Sequence, residues 1–256
     1  MKNIFKISPK IISFAVFFII QSKLLAAFEI NHAKQYRACI QLSKKEPQKA
    51  FDSALNWQGL GGQHAAEHCI AVSLIGLGEH REAAKRLEEL ANNVNKKTEV
   101  KAGLLAHAAQ AWILAENSIR AEAVLNVALK LMPNNAAFLI DRSQARAGQN
   151  NYLGAISDLD HAINIDERSA DAFIFRASAN RHLNKLEAAM TDVEYALKIQ
   201  PQNPEGLLER GNLRRIIKNK IGARKDWLTL IQISPNSPAA EAARNNLESM
   251  DVKIGP

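Results

Sequence analysis

The sequence has little glycine, little proline and few aromatic residues, and these deficits argue against a β-sheet fold. Its 256 residues include 12 glycines and 8 prolines, and only 6% of them are aromatic. A sheet would need more aromatic and β-branched residues. Abundant alanine and leucine instead favour packed helices. We therefore predict an all-α protein.

The sequence also lacks the motifs of common enzyme classes. It contains no Gly-x-Ser-x-Gly elbow, no P-loop and no dinucleotide-binding fingerprint. One short motif is an exception: His64, Glu67 and His68 have the H-x-x-E-H spacing of one class of zinc peptidase, in which both histidines bind the metal and the glutamate is the base. The motif also suits a polar face at the start of a helix, and no other residue stands out as a third ligand. We expect no enzymatic activity and no metal or other cofactor, with a zinc-dependent hydrolase as the alternative.

A long apolar run occurs near the N-terminus. Lysines precede the run Ile11–Ile20, and the small residues Ala26 and Ala27 follow it. This order is typical of a secretory signal peptide. As a helix the run spans only ~15 Å, about half of a bilayer core, and Lys23 prevents its extension, so an uncleaved membrane anchor fits less well. We predict a signal peptide over residues 1–27, export to the periplasm and no stable membrane insertion after cleavage.

The charge is modest once that segment is set aside. Residues 1–27 hold four lysines and no acidic residue, so their removal lowers the formal charge from +7 to +3. The remaining surface has no basic stripe interleaved with aromatic residues. We therefore expect no nucleic-acid partner.

The rest of the sequence contains an internal repeat of 34 residues. Small and apolar residues recur at equivalent positions in four copies, and residues three and four apart share one face of a helix. Ala189, Val193 and Ala196 thus predict the buried stripe of a second helix, opposite the first-helix stripe of Phe173 and Ala177. The repeat aligns Ala121 with Ala155, Ala189 and Ala223, and Leu125 with Leu159, Val193 and Trp227.

This pattern resembles the tetratricopeptide-repeat family. The first unit carries the signature residues of the family, whereas Arg146, Asn180 and Arg214 depart from its pattern in the later units. The resemblance implies a right-handed α-solenoid of helix pairs that binds another protein or an extended peptide. It divides the chain into degenerate helical repeats over 28–101, four units over 102–135, 136–169, 170–203 and 204–237, and a capping helix with a tail over 238–256.

Cysteine is scarce, with Cys39 and Cys69 as the two in the sequence. In an exported protein a small, even number of cysteines favours a disulfide, and two free buried thiols are the alternative. Both residues fall on the first helices of consecutive predicted units, which lie side by side in this kind of fold. A Cys39–Cys69 bond would close a loop of about 30 residues and stabilise the protein by roughly 3–4 kcal/mol.

An arginine and an aspartate recur with the period of the repeat. The first unit has Ala108 and Val124 at these two positions, so both charges are absent together. Joint presence and absence indicates that each arginine pairs with an aspartate in its own unit or in the adjacent one, although independent surface charges would give the same pattern. The expected structural ion pairs are Arg142 with Asp158, Arg176 with Asp192, and Arg210 with Asp226.

The resemblance also implies where a ligand binds. The first helices of the family line a concave groove that holds ligands in extended form. Carried over by position, the groove has an apolar row, a polar row that can hydrogen-bond a peptide backbone, and two arginines that suit a carboxylate. Ordinary solvated surface, or a site on the convex face, is the alternative. The rows are Ala106, Ile140, Ile174 and Leu208, then Gln110, Gln144, Ser178 and Asn212, then Ile113, Ala147, Arg181 and Arg215.

The signal-peptide prediction defines a mature N-terminus. We expect the protein isolated from its native compartment to begin at about Phe28, because the peptidase cuts after small residues such as Ala27. Intact-mass measurement checks this. A chain that still begins at Met1 and is found in the cytosol would contradict the prediction.

Overall fold

The computed structural model describes residues 31–94 and 97–251, which form helices joined by short turns. No strand occurs in this part of the chain, so the predicted all-α class is confirmed. None of the helices described is both long and apolar enough to cross a membrane. The predicted signal peptide and the end of the predicted tail lie outside the described residues. The helices are α1 (His32–Ser43), α2 (Pro47–Trp57), α3 (Gln63–Gly76), α4 (His80–Asn93), α5 (Thr98–Leu114), α6 (Ser118–Leu131), α7 (Ala136–Ala147), α8 (Tyr152–Ile165), α9 (Ala170–His182), α10 (Leu186–Ile199), α11 (Pro204–Ile216), α12 (Lys220–Ile233) and α13 (Pro238–Asp251), with one π-helical segment, Gln58–Gly62, between α2 and α3.

The helices stack as pairs. Each odd-numbered helix from α1 to α11, called a first helix below, packs against the helix that follows it, and each even-numbered helix packs against the next first helix. Neighbouring first helices also contact each other, as α7, α9 and α11 do. The last helix, α13, contacts both α11 and α12 and so takes the place of a further first helix. This arrangement confirms the predicted α-solenoid with its C-terminal capping helix.

Helix starts recur with the repeat because capping residues recur. Asn135, Ser169 and Asn203 each accept a hydrogen bond on the side-chain oxygen from the backbone N–H three residues later, at the start of α7, α9 and α11. A cap of this kind contributes about 1 kcal/mol. The turns within the pairs recur as well, so helix starts and turns both follow the 34-residue repeat. Their left-handed residues, with φ from 57° to 65°, are Glu116, Asn150, Asn184 and Lys218.

The helix α5 is longer than the other first helices. It begins at Thr98 and spans 17 residues, whereas the other first helices and α13 span 12 to 14. The predicted unit boundary at residue 102 falls inside this helix. The added residues amount to about one helical turn. This turn lines a cavity described below.

In the last helix pair, a large buried side chain on one helix lies opposite a glycine on the other. The fully buried Trp227 takes the position that Leu159 and Val193 hold in earlier pairs, and Gly211 takes that of Ala177. A Cβ added at Gly211 would overlap the indole ring of Trp227. A close-packed core cannot accept such an overlap without strain, so the large residue requires the small one.

A disulfide joins the first helices of the first two pairs. Cys39 in α1 and Cys69 in α3 are buried and bonded, with Cα atoms 6.2 Å apart. The predicted disulfide is thus present in the structure. The bond constrains the unfolded chain at the end of the array where the helices follow the repeat pattern least closely.

Each of the last three helix pairs contains a buried aspartate held by an arginine. Arg176 donates from Nε and Nη2 to the two carboxylate oxygens of Asp192, at 2.9 and 2.6 Å. Its Nη1 reaches Asp160 on the preceding pair, at 2.7 Å. One guanidinium therefore ties both helices of its own pair to the pair before it. The same two-pronged contact joins Arg142 to Asp158 and Arg210 to Asp226.

The residues that depart from the family pattern complete these contacts. Arg146 and Arg214 each donate a further hydrogen bond to the aspartate of their own pair, at 2.9 and 2.7 Å. The amide nitrogen of Asn180 lies 3.4 Å from Asp192 in the same way. The first unit has Trp112 at this position and Val124 in place of the aspartate. A polar donor therefore occurs where there is a buried carboxylate to receive it.

The arginine–aspartate contacts predict a strong coupling. We expect Arg176→Ala and Asp192→Ala each to lower the free energy of unfolding by about 3–5 kcal/mol, because each leaves a charge inside the protein without its partner. The double variant should be less destabilised than the sum of the two. Urea unfolding of the four proteins gives the cycle, and the exposed pair Arg86–Glu82 is the control, with an expected coupling of about 0.2–1 kcal/mol. Additive effects would mean that the two residues do not interact.

Candidate functional site

Two cavities lie on the first-helix face, the side of the array formed by the first helices. The one nearer the N-terminus, named the histidine pocket, has a volume of about 480 Å³ and a mainly apolar lining. Glu99 and Val100 reach it from the added turn of α5, so the longer helix helps to enclose it. An apolar concavity with a few converging polar groups is the usual form of a ligand site. The lining residues are His32, Ala33, Tyr36, His64, Ala65, His68, Leu90, Val94, Glu99, Val100, Gly103, Leu104 and His107.

Two of the imidazoles in this pocket, those of His68 and His107, form a chain of hydrogen bonds with Tyr36 across three first helices. His68 Nδ1 lies 2.7 Å from the hydroxyl of Tyr36, and His68 Nε2 lies 3.0 Å from Nδ1 of His107. The rings of the two histidines stack with centroids 5.2 Å apart. Burial lowers the pKa of His68 to about 4, with a smaller contribution from His107, whose own pKa is lowered by partial burial. Both rings are therefore neutral at pH 7, and the pocket is suited to an uncharged group.

The H-x-x-E-H motif does not form a zinc centre in this arrangement. Both ring nitrogens of His68 are engaged with Tyr36 and His107. Glu67 accepts hydrogen bonds from Gln58 at 2.7 Å and from Arg86 at 2.9 Å, so its carboxylate is held by another cation. Within residues 31–94 and 97–251, no group of three or more histidine, cysteine, aspartate or glutamate side chains is arranged to hold a metal ion.

The second cavity, named the acidic cavity, lies further along the same face. It has a volume of about 470 Å³ and is formed by α7, α9 and the start of α11. Three carboxylates and no lysine or arginine line it, whereas its remaining lining is mostly apolar. It therefore combines a negative potential with a surface on which an aliphatic chain can lie. The lining residues are Ala137, Ile140, Asp141, Gln144, Asp171, Ile174, Phe175 and Glu205.

The carboxylate of Asp141 is the buried one of the three. The residue is only 9% exposed, and its Oδ2 accepts one hydrogen bond, from Nε2 of Gln110 at 3.1 Å. No arginine, lysine or histidine of the described chain forms an ion pair with it. Burial raises the pKa of Asp141 to about 6, and the Gln110 hydrogen bond opposes part of that rise. A charge in this position lacks the compensation that buried carboxylates normally have.

The structure brings part of the predicted groove together at the acidic cavity. Ile140, Gln144 and Ile174 all line it, although Ile174 is largely buried and only its edge is accessible. Leu208 is half-buried against the last helix pairs. The polar row continues into the capping helix, because Asn246 donates to Asn212 at 2.9 Å from a position 34 residues later.

One of the two arginines predicted to line the groove forms contacts within the protein. Arg181 donates from Nε to Glu209 at 2.6 Å, and its Nη2 lies 3.3 Å from Ser178. Its charge is therefore balanced by Glu209 inside the protein. Arg215 is exposed. The contact of Arg181 with Glu209 joins neighbouring first helices, and no periodicity within one unit reveals it.

The groove positions carried over from the family did not include the acidic residues of the cavity. Asp171 and Glu205 share one row, one repeat apart, and Asp141 occupies another row, which adjoins the predicted apolar row. A signal was present, since the 34-residue alignment places acids at two of the four positions of this row, which are His107, Asp141, Phe175 and Glu209. Because this row lies on a buried helix face, its charged residues indicate specific contacts and not an ordinary solvated surface.

Comparison with known proteins identifies the fold. No family profile matches the sequence, and no curated protein matches it. Cut9, in the crystal structure of the APC/C hetero-tetramer Cut9–Hcn1, matches 90% of the chain with a TM-score of 0.68 and 15% identity, over 45% of its own length. TTC0263, a thermophilic tetratricopeptide-repeat protein of Thermus thermophilus, matches 73% of the chain over 97% of its own, with a TM-score of 0.60 and 16% identity. MamA of Desulfovibrio magneticus RS-1 matches 68% over 97% of its own, at 0.54 and 17%.

These similarities, together with the stacked helix pairs, establish the predicted tetratricopeptide-type fold. At identities of 15 to 17% they carry information about architecture alone.

The raised pKa of Asp141 predicts a pH dependence of stability. Its folded-state pKa of about 6 exceeds that of an unfolded aspartate, so the folded protein holds this proton more tightly, and stability falls as the pH rises from about 4 through 6. Asp141→Asn should remove that fall and stabilise the protein at pH 7 by about 1–3 kcal/mol. Urea unfolding between pH 4.5 and 7.5 measures it. Ser178→Ala, which removes no titratable group, should keep the slope of the natural protein, and a slope retained in Asp141→Asn would contradict the assignment.

Proposed function

We propose that the protein is a non-enzymatic scaffold that binds an extended segment of another protein on its first-helix face, outside the cytoplasm. The observation that supports this most directly is the pair of cavities on that face, one mainly apolar and lined by histidines, the other apolar and acidic. Both are built mainly from side chains of successive first helices. In a tetratricopeptide-type array this is the concave side, where an extended chain can contact several units at once.

The polar row supplies the means to hold a peptide backbone. Gln144 lines the acidic cavity, and the amides of Asn212 and Asn246 lie further along the face. Primary amides both donate and accept hydrogen bonds, as a peptide backbone requires. Neighbouring helices are roughly 8–10 Å apart, which corresponds to about three residues of an extended chain. The partner segment would therefore advance by about three residues for each helix pair.

The histidine pocket would receive an apolar side chain of the segment. Burial lowers the pKa of His68 and His107, and Leu90, Val94 and Leu104 supply aliphatic surface. Burying one leucine-sized side chain there would contribute about 1.5–3 kcal/mol. The pocket and the acidic cavity together favour a partner segment of mixed character over a uniformly charged one.

Action outside the cytoplasm rests on two features of the chain. The first 27 residues have the order of a secretory signal peptide. The Cys39–Cys69 disulfide is of a kind that forms and persists in oxidising compartments. Use of the fold in protein assembly has a precedent in Cut9, whose structure is that of a hetero-tetramer with Hcn1.

Site-specific photo-crosslinking in the native cell tests the proposed face. A photoreactive residue at Gln144 or Arg215, both on first helices, should capture a discrete partner. The same residue at Val127 or Glu194, which are exposed on second helices, is the matched control and should not. With the partner in hand, Gln144→Ala should weaken binding by at least tenfold, about 1.4 kcal/mol. Capture from the second helices alone would move the site to the other face and end the proposal.

A further inference from the structure

Two buried acids at equivalent positions of the repeat are treated differently by the rest of the chain. Asp141 and Glu209 lie on first helices in the same register and are 9% and 6% exposed. Glu209 accepts a charge-assisted hydrogen bond from Nε of Arg181 at 2.6 Å. Asp141 accepts a hydrogen bond from the neutral amide of Gln110 alone, and its Oδ1 has no partner in the described chain. One acid thus has its cation, and the other does not.

The difference comes from a single position in the preceding unit. Arg181 stands 28 residues before Glu209, and the residue 28 before Asp141 is Ile113. Isoleucine has no donor to offer. The acidic cavity opens beside Asp141, whereas at Glu209 the guanidinium of Arg181 is in place. The Arg181–Glu209 pair is therefore an internal example of the group that is missing at Asp141.

We propose that the acidic cavity binds the guanidinium group of an arginine side chain on the partner segment, with Asp141 as its carboxylate acceptor. This inference rests on the proposed function and specifies the chemistry of the partner at one position. The cation is supplied in trans where the chain does not supply it in cis.

The lining of the cavity fits an arginine along its whole length. Ile140 and Ile174 offer apolar surface to the methylene stem, which arginine readily buries while its head stays polar. Phe175 also lines the cavity, and an aromatic ring attracts a cation, while a planar guanidinium can donate to a carboxylate with two parallel hydrogen bonds. Asp171 and Glu205 at the exposed edge add negative potential that favours approach of a positive group.

The direct test uses a small probe on the purified protein. Acetyl-arginine N-methylamide is titrated while amide chemical shifts are followed by NMR, and the citrulline analogue, which has the same shape without the charge, is titrated in parallel. We expect saturable shifts around Asp141 and Ile174 with the arginine probe and at least tenfold weaker binding of citrulline. Equal binding of the two probes would overturn the inference. So would a response to calcium chloride with none to arginine.

Two variants and a control test whether probe binding depends on the charge of Asp141 and on access to the cavity. Asp141→Asn should weaken the arginine probe at least tenfold, whereas Glu187→Gln, which removes one negative charge from a second helix, should leave its binding unchanged. Ile113→Arg installs the residue that the third unit has at Arg181, so it should block the probe and raise the melting temperature. Undiminished probe binding in Asp141→Asn would refute the inference, whatever the stability of either variant.

The outcome is distinguishable from that of the proposed function. If a partner is captured at Gln144 but replacement of each of its arginines by citrulline changes affinity less than twofold, the scaffold stands and the arginine site falls. If no partner is captured on first helices while the arginine probe binds at Asp141, the cavity has the proposed chemistry and the scaffold function is wrong. A tenfold loss on citrulline replacement supports both.

Discussion

A carboxylate that is removed from water must be met by donors, and this requirement shapes the array from its core to its surface. Asp158, Asp192 and Asp226 lie between the two helices of their pairs, where an unpaired charge would be strongly destabilising. Each is satisfied by an arginine fork with two parallel hydrogen bonds. Because one guanidinium also reaches the preceding pair, the same contact that balances the charge fixes the relation between neighbouring units.

The requirement also explains why the repeats differ from the family pattern. The first unit packs Trp112 where the following ones have Arg146, Asn180 and Arg214, and it has valine where they have aspartate. These changes occur together because a polar donor is useful beside a buried carboxylate and costly without one. The later units therefore differ from the family pattern at two positions together. Apolar residues at both positions are replaced by a polar donor and a carboxylate that are hydrogen-bonded to each other.

The two ends of the array are stabilised by different means. At the N-terminal end a disulfide links two first helices, and an added turn of α5 encloses the histidine pocket. At the C-terminal end Trp227 fills the core against Gly211, and α13 covers the last pair. Between them lies Asp141, a buried carboxylate with a neutral amide as its donor in the described chain. The cost of burying such a group is commonly retained at sites that interact with other molecules.

The sequence by itself determined the helices, their period, the disulfide and the positions of the arginine–aspartate pairs. These follow from interactions that repeat with the chain, namely capping, apolar stripes and charges that recur at one spacing, so a shift of 34 residues reveals them. Only the tertiary structure decided that Arg181 is engaged by Glu209, that four histidines converge on one pocket and that Asp141 is buried without a cation. These depend on how neighbouring first helices are packed and on which rotamers fill the space between them. Such contacts join different units, so the 34-residue alignment indicates which positions carry a charge but not which side chains meet.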